Sequence, residues 1–219
     1  MAIILPPETV YEQPPAGSHT AVCHRVTDFG TQQGMYGPKY QILIGFELPD
    51  ERMADGRVFT ISRRYTLSSD RKSALRIALE GWFGRTLTSG EFGRFDLAEL
   101  LGLTCLIGIR RDTKDDGKVF ASVASVMRRT KSMPERLPCI NEAISFSLTD
   151  RPLREHELQK LPQWQQDAVR RSPEYETATK PQKQISAGTK QRLKAILADS
   201  PAPKPEPVVD DLDDSIPFE

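Results

Sequence analysis

The chain has 219 residues, with 30 bases, 30 acids, 38% hydrophobic residues and seventeen prolines, most of them before residue 20 or after residue 130, so one domain core is expected in the middle. Cys23, Cys105 and Cys139 are odd in number, far apart and without a Cys-x-x-Cys pair, which argues against a disulfide framework or a zinc site and fits a reducing, cytoplasmic setting. No stretch nears the roughly 20 apolar residues of a membrane span, and the N-terminus lacks the basic and apolar regions of a signal peptide.

The net charge of zero conceals a division. From Asp199 onward seven acids face Lys204 alone, a balance of −6; the rest of the chain holds 29 bases against 23 acids, a balance of +6. A basic body with an acidic tail suits a nucleic-acid binder whose tail has a separate task, and equally a domain with a solvating tail.

Residues 1–18, with Pro6-Pro7 and Pro14-Pro15, read as an irregular lead-in. From His19 to Phe29 Thr and Val predict a first strand, and Gly30 to Pro38 a glycine-rich loop that carries Tyr36. Tyr40, Ile42, Ile44, Phe46 and Leu48 alternate along a second strand, Lys39 to Leu48; after Asp55-Gly56, Arg57 to Leu67 reads as a third strand paired with it.

Ser68-Ser69-Asp70 offers an N-cap to a helix striped by Leu75, Ala78, Leu79 and Trp82 and ended by Gly84. A helical turn or two follows over Phe95 to Leu101. Leu103 to Ile109 and Lys118 to Met127 are strands four and five, joined through Asp116-Gly117. The fold class expected is therefore mainly β: a five-stranded OB-fold barrel over 19–130 with one or two helices between strands three and four.

Residues 131–179 form a C-terminal extension with one short helix near 155–171, predicted to pack back on the domain through Leu158, Leu161, Trp164 and Val169. Residues 180–209 are a flexible basic and Pro-rich linker, whose Ser200 to Pro207 reads as an extended spacer, and 210–219 an acidic tip.

Binding a single strand without sequence preference needs cations for phosphates and aromatic faces for bases. An OB-fold offers both on strands two and three and on its one–two and four–five loops. The candidates are Arg25, Tyr36, Lys39, Arg57, Arg63, Arg64, Tyr65, Arg110, Arg111 and Lys118. Arg63 and Arg64 are adjacent on a strand, so one must face the core side, which requires a bulge, an acid partner or a ligand surface. The bland alternative is surface ion pairs around a core that includes Tyr40, Phe46, Phe59 and Phe120.

The final residues Asp210, Asp211, Asp213, Asp214, Ile216, Pro217 and Phe218 resemble the C-terminal tip of bacterial single-stranded DNA-binding proteins. That resemblance implies a peptide hook in which Phe218 fills a partner's apolar pocket and the acids meet its basic rim. The chain departs from the pattern by ending in Glu219, which displaces the terminal carboxylate by one residue.

Tyr40 to Pro49, Phe59 to Leu67, Phe95 to Gly102, Leu161 to Trp164 and Ser172 to Tyr175 resemble phage and prophage single-stranded DNA-binding or replication-associated proteins, over roughly 19–175. The resemblances imply a protein that coats single-stranded DNA during replication, recombination or repair in a bacterial host cell and recruits partner enzymes of those processes through its tip. The alternatives are a phage replication adaptor or initiation factor working mainly through protein contacts, and a metal-dependent nuclease.

No Walker loop, His-Glu-x-x-His or Gly-x-Ser-x-Gly is present. No catalytic residue, metal ligand, cofactor or membrane partner is expected, and a homo-oligomer is compatible with the sequence. A −6 tail on a flexible tether is expected to compete with DNA for a +6 body, so that deleting 200–219 tightens binding at low salt.

Overall fold

β1 (Gly17–Gln32), β2 (Lys39–Arg52), β3 (Val58–Thr66), β4 (Thr104–Thr113) and β5 (Val119–Arg128) form antiparallel ladders in the order β3-β2-β1-β4-β5. A sixth strand, β6 (Ile144–Phe146), runs parallel to Arg25–Thr27 of β1. The structure is a computed structural model that describes residues 12–113, 117 and 119–180, all within the compact unit Met1–Lys180.

The sixteen-residue β1 serves three neighbours. Its first part, Gly17 to Val22, pairs with β4; from Val22 to Gln32 it pairs with β2, with register shifts at Cys23/Arg25 and Asp28/Gly30 that re-aim the strand. β6 takes the edge that β4 leaves.

The alternation read in β2 places its even residues on the inner face. Ile42, Ile44, Phe46 and Leu48 join a core with Trp82 and Leu79 of α1 (Ala74–Phe83), where Phe46 and Trp82 rings lie 5.5 Å apart. The Trp82 indole N–H donates to the Thr104 carbonyl at 3.2 Å, and Gly81 lets the helix touch the Val126 carbonyl where a Cβ would collide. α1 is capped by Ser73, not by Ser68-Ser69-Asp70: the Ser73 hydroxyl accepts from Arg76 N, whereas Asp70 closes a turn by accepting from Lys72 N at 2.7 Å. Gly84 ends the helix in the left-handed conformation, as expected.

Between α1 and β4 lie α2 (Ser89–Arg94), opened by a Thr88/Glu91 capping box, and a 3-10 turn, Leu97–Leu100. The helix expected at 155–171 is two, α3 (Glu155–Gln159) and α4 (Gln163–Arg170), because Pro162 has no N–H to continue the first and stands at the N-cap of the second. α5 (Pro173–Thr179) follows, capped by Ser172.

The extension covers the outer face of the sheet. Phe29 of β1 and Leu43 of β2 share a second cluster with Phe146, Leu158, Leu161 and Val169. Each fully buried side chain of this size is worth about 1.5–3 kcal/mol, so burial outweighs any single polar contact in holding the extension. Its entry point is fixed by Glu47, fully buried, whose carboxylate accepts from Ile140 N at 2.6 Å, Asn141 N at 2.9 Å and Asn141 Nδ2 at 2.9 Å. At the other end Gly30, φ +64°, leaves room for Glu174, which accepts from Thr31 N at 2.8 Å and Thr31 Oγ1 at 2.6 Å.

Candidate nucleic-acid interface

Odd-numbered residues of β2 face outward, opposite the core, and the register sets Arg64 of β3 beside Leu43 and Thr27 of β1 on the same outer face. There the Arg64 guanidinium lies 4.9 Å from the Phe29 ring centre and 5.8 Å from that of Trp164, and donates to Gln41 Oε1 at 3.3 Å. Trp164 packs edge-on against Phe29 at 5.9 Å and stays 48% exposed. Burial and the neighbouring Arg171 guanidinium push Arg64 below the usual arginine range. Neither arginine forms an ion pair among the described residues.

Trp164, Arg170 and Arg171 with Asp167 line an open recess of about 510 Å³ beside this pair; Asp167 Oδ1 is engaged by Gln163 Nε2 at 2.8 Å. Alternation adds Lys39 to the same face of β2, next to Gln32, whose amide reaches the Ala168 carbonyl of α4 at 2.9 Å. Lys39 stands 5.8 Å from the ring centre of Tyr36, which is 85% exposed at the hairpin tip. One rung past Arg64, Arg25 leans over Gly45, where a Cβ would come within 3.0 Å of its own. Arg25 is half-buried, burial lowers its pKa, and its Nε has no hydrogen-bond partner among the described residues. The result is a strip of cations, Lys39, Arg64, Arg171 and Arg25, interleaved with two open aromatic faces, Tyr36 and Trp164.

Other expected site residues fall elsewhere. Tyr65 is 2% exposed inside the main core, so no base can stack on it; pairing opposite Ile42 places it on the inner face. Arg63 shares that inner side and solves the problem of two adjacent arginines without an acid or a ligand: its Nη1 donates to the Val123 and Ala124 carbonyls of β5, both at 3.1 Å. Arg57 is held by Asp55 at 2.6 Å and Arg110 by Asp112 at 2.9 Å, so both are neutralised surface pairs. Arg111 is exposed on β4 at a distance in register from the strip. Lys118 and the tip residues Asp210, Asp211, Asp213, Asp214, Ile216, Pro217 and Phe218 lie outside the described residues, as does the linker from residue 181.

Trp164 and Arg171 were absent from the sequence candidates. The signal that finds them is their spacing, seven apart on a helix that also buries Gln165, Ala168 and Val169: Trp164 belongs to the rim of the apolar stripe. Among the described residues no three His, Cys, Asp or Glu side chains gather as a metal site, and no helix is long and apolar enough to cross a membrane. Compared with protein-family models and with curated proteins, the chain matches none.

Proposed function

We propose that the protein binds single-stranded nucleic acid, DNA being the expected substrate, along the Tyr36, Lys39, Arg64, Trp164, Arg171, Arg25 strip. The observation that carries the reading is Arg64, set beside two aromatic rings and near a second guanidinium, with no acid to pair it among the described residues. An exposed guanidinium without a carboxylate can take up a phosphate, and the neighbouring Trp164 face can accept a base.

The OB-fold reading is supported by strand order. In a five-stranded OB barrel β1 pairs with β2 and β4 and the barrel shuts between β3 and β5. Here no ladder joins β3 to β5 among the described residues, and the Arg63 guanidinium bridges them instead. We read the sheet as an OB barrel open along that seam. The acidic tip is proposed to recruit replication, recombination or repair enzymes, as its resemblance implies.

Titration of the full chain against fluorescent oligo-dT at about 50 and 200 mM salt, with a duplex competitor, tests the reading. Binding that survives the duplex, weakens with salt and falls about a hundredfold in Arg64→Glu is expected. A wild-type chain that ignores oligo-dT at low salt, or an Arg64→Glu variant that binds as well, overturns it.

A further inference from the structure

A cavity of about 610 Å³, within the range of built ligand sites, opens on the inner side of the sheet, opposite the strip, between β2, the β3–α1 connection, the 3-10 turn and β6. Its apolar wall is Val26 and Ile42 at the base, Phe95 and Leu97 on one side, and Leu67, 45% exposed, on the lip, and Ser68, Ser69, Ser145 and Ser147 add to the lining. It meets a second depression of about 500 Å³ at Tyr40 and Thr149, which both share, and the second runs on to Glu174 and Thr177 of α5. Two depressions in line suit an extended chain that drops alternate side chains into successive pockets, rather than one compact ligand.

The charge of the lining sets the partner's sign. Asp28, Asp96, Asp150 and Glu174 face Arg151 and Arg154. Both arginines are already engaged: Arg154 Nε and Nη2 each lie 2.7 Å from Asp150 Oδ2, and Arg151 Nη1 donates to the Leu148 and Asp150 carbonyls. Asp28 holds Tyr40 Oη at 2.9 Å and Leu148 N at 3.2 Å, so it shapes the junction of the two depressions. Asp96, exposed, caps the 3-10 turn through one oxygen, 2.9 Å from Ala98 N, and leaves the other to solvent. A phosphate backbone is repelled by this set, whereas a lysine or arginine is drawn to it.

We infer that the double groove docks an extended basic segment of a partner protein, which seats an apolar side chain against Phe95 and Leu97 and sets a lysine or arginine beside Asp96. The larger depression and the strip lie on opposite faces of β2, Tyr40 and Ile42 on one and Lys39 and Leu43 on the other, so a peptide seated there leaves the strip uncovered. The inference does not rest on the nucleic-acid reading.

The test is fluorescence anisotropy with a labelled peptide Gly-Lys-Phe-Lys-Leu-Lys-Gly and its counterpart with glutamate for each lysine, against the full chain, Leu67→Lys and Ser69→Lys. Both substituted residues line the lip and have partly or fully exposed side chains, and Leu67 keeps its backbone bond to the Tyr40 carbonyl. The expected result is saturable binding of the lysine peptide only, at least about tenfold weaker in both variants, with unchanged melting and oligo-dT behaviour. No saturation with the lysine peptide, equal binding of the glutamate peptide, full binding by both variants, or displacement of the peptide by oligo-dT overturns the proposal. Oligo-dT binding without peptide binding sinks the groove and spares the strip; the reverse result spares the groove.

Discussion

The two faces of β2 differ in what their arginines have to hold. On the inner side Arg154 is paired with Asp150, and four acids line the groove against two arginines. On the outer side Arg64 has two aromatic rings and the neighbouring Arg171, whose Nε donates to the Asp167 carbonyl at 3.0 Å, and neither forms an ion pair among the described residues. Counting arginines would rank the faces alike; counting what already neutralises each one separates an anion-seeking surface from a cation-seeking one. The same distinction divides the arginines expected to bind DNA, of which Arg57, Arg63 and Arg110 are occupied within the protein.

The contrast requires the extension to be seated, since α4 and its C-cap supply Trp164 and Arg171 to one face and β6 supplies Ser145, beside Val26, to the other. Glu47→Ala strands two backbone N–H groups and an amide at its entry. It is expected to lower unfolding stability by about 1–3 kcal/mol in denaturant melts and to weaken oligo-dT binding as well. Wild-type stability would show that apolar burial alone sets the extension.

Acid and salt distinguish fold from strip. Burial foremost, and the adjacent Arg25 charge, bring His24 down to about 4, and its Nδ1 has no partner among the described residues. An unfolded histidine titrates near 6.5, so between these values the unfolded chain takes a proton that the folded one refuses. Stability is therefore full above pH 6.5 and falls, by about 3 kcal/mol at most, as pH drops toward 4. Asp28, raised by burial, works in the opposite sense at the acid end. Melts across this range should flatten in His24→Leu; an unchanged slope assigns it to other groups.

Within the strip, Trp164→Ala should cost the roughly 1–3 kcal/mol of one stacked base, read as a drop in oligo-dT affinity with melting little altered. The smallest effect sharpens the comparison most: Arg57→Ala, which removes a cation already paired with Asp55, should leave oligo-dT affinity within about twofold. A larger loss would return Arg57 to the interface.

The sequence displayed the main core plainly, because period-two alternation in β2 and the Leu75, Ala78, Leu79, Trp82 stripe each record one buried face. The second cluster was harder to see. Leu43 lies on the odd face of a strand whose even face already looked like the core, and its partners come from residue 144 onward, out of reach of any local pattern. Tyr65 and Arg63 were misread for a related reason: a strand's composition says that faces alternate but not which residue faces inward, and only the pairing of β3 with β2 decides it. Lys39, Arg64 and Tyr36 were legible because they sit on the hairpin that alternation defines. Trp164 and Arg171 join them through tertiary packing alone.

The shared edge of β1 also sets a schedule. A ribosome adding roughly 5–20 residues each second needs on the order of ten seconds to pass from Thr27 to Phe146, and until then the Arg25–Thr27 edge lacks the parallel strand that covers it. The first strand made is thus completed by the last of the described strands to be translated. A nascent chain spends that interval with an open edge and the unsheathed apolar face of Phe29 and Leu43, the features that favour pairing with another chain.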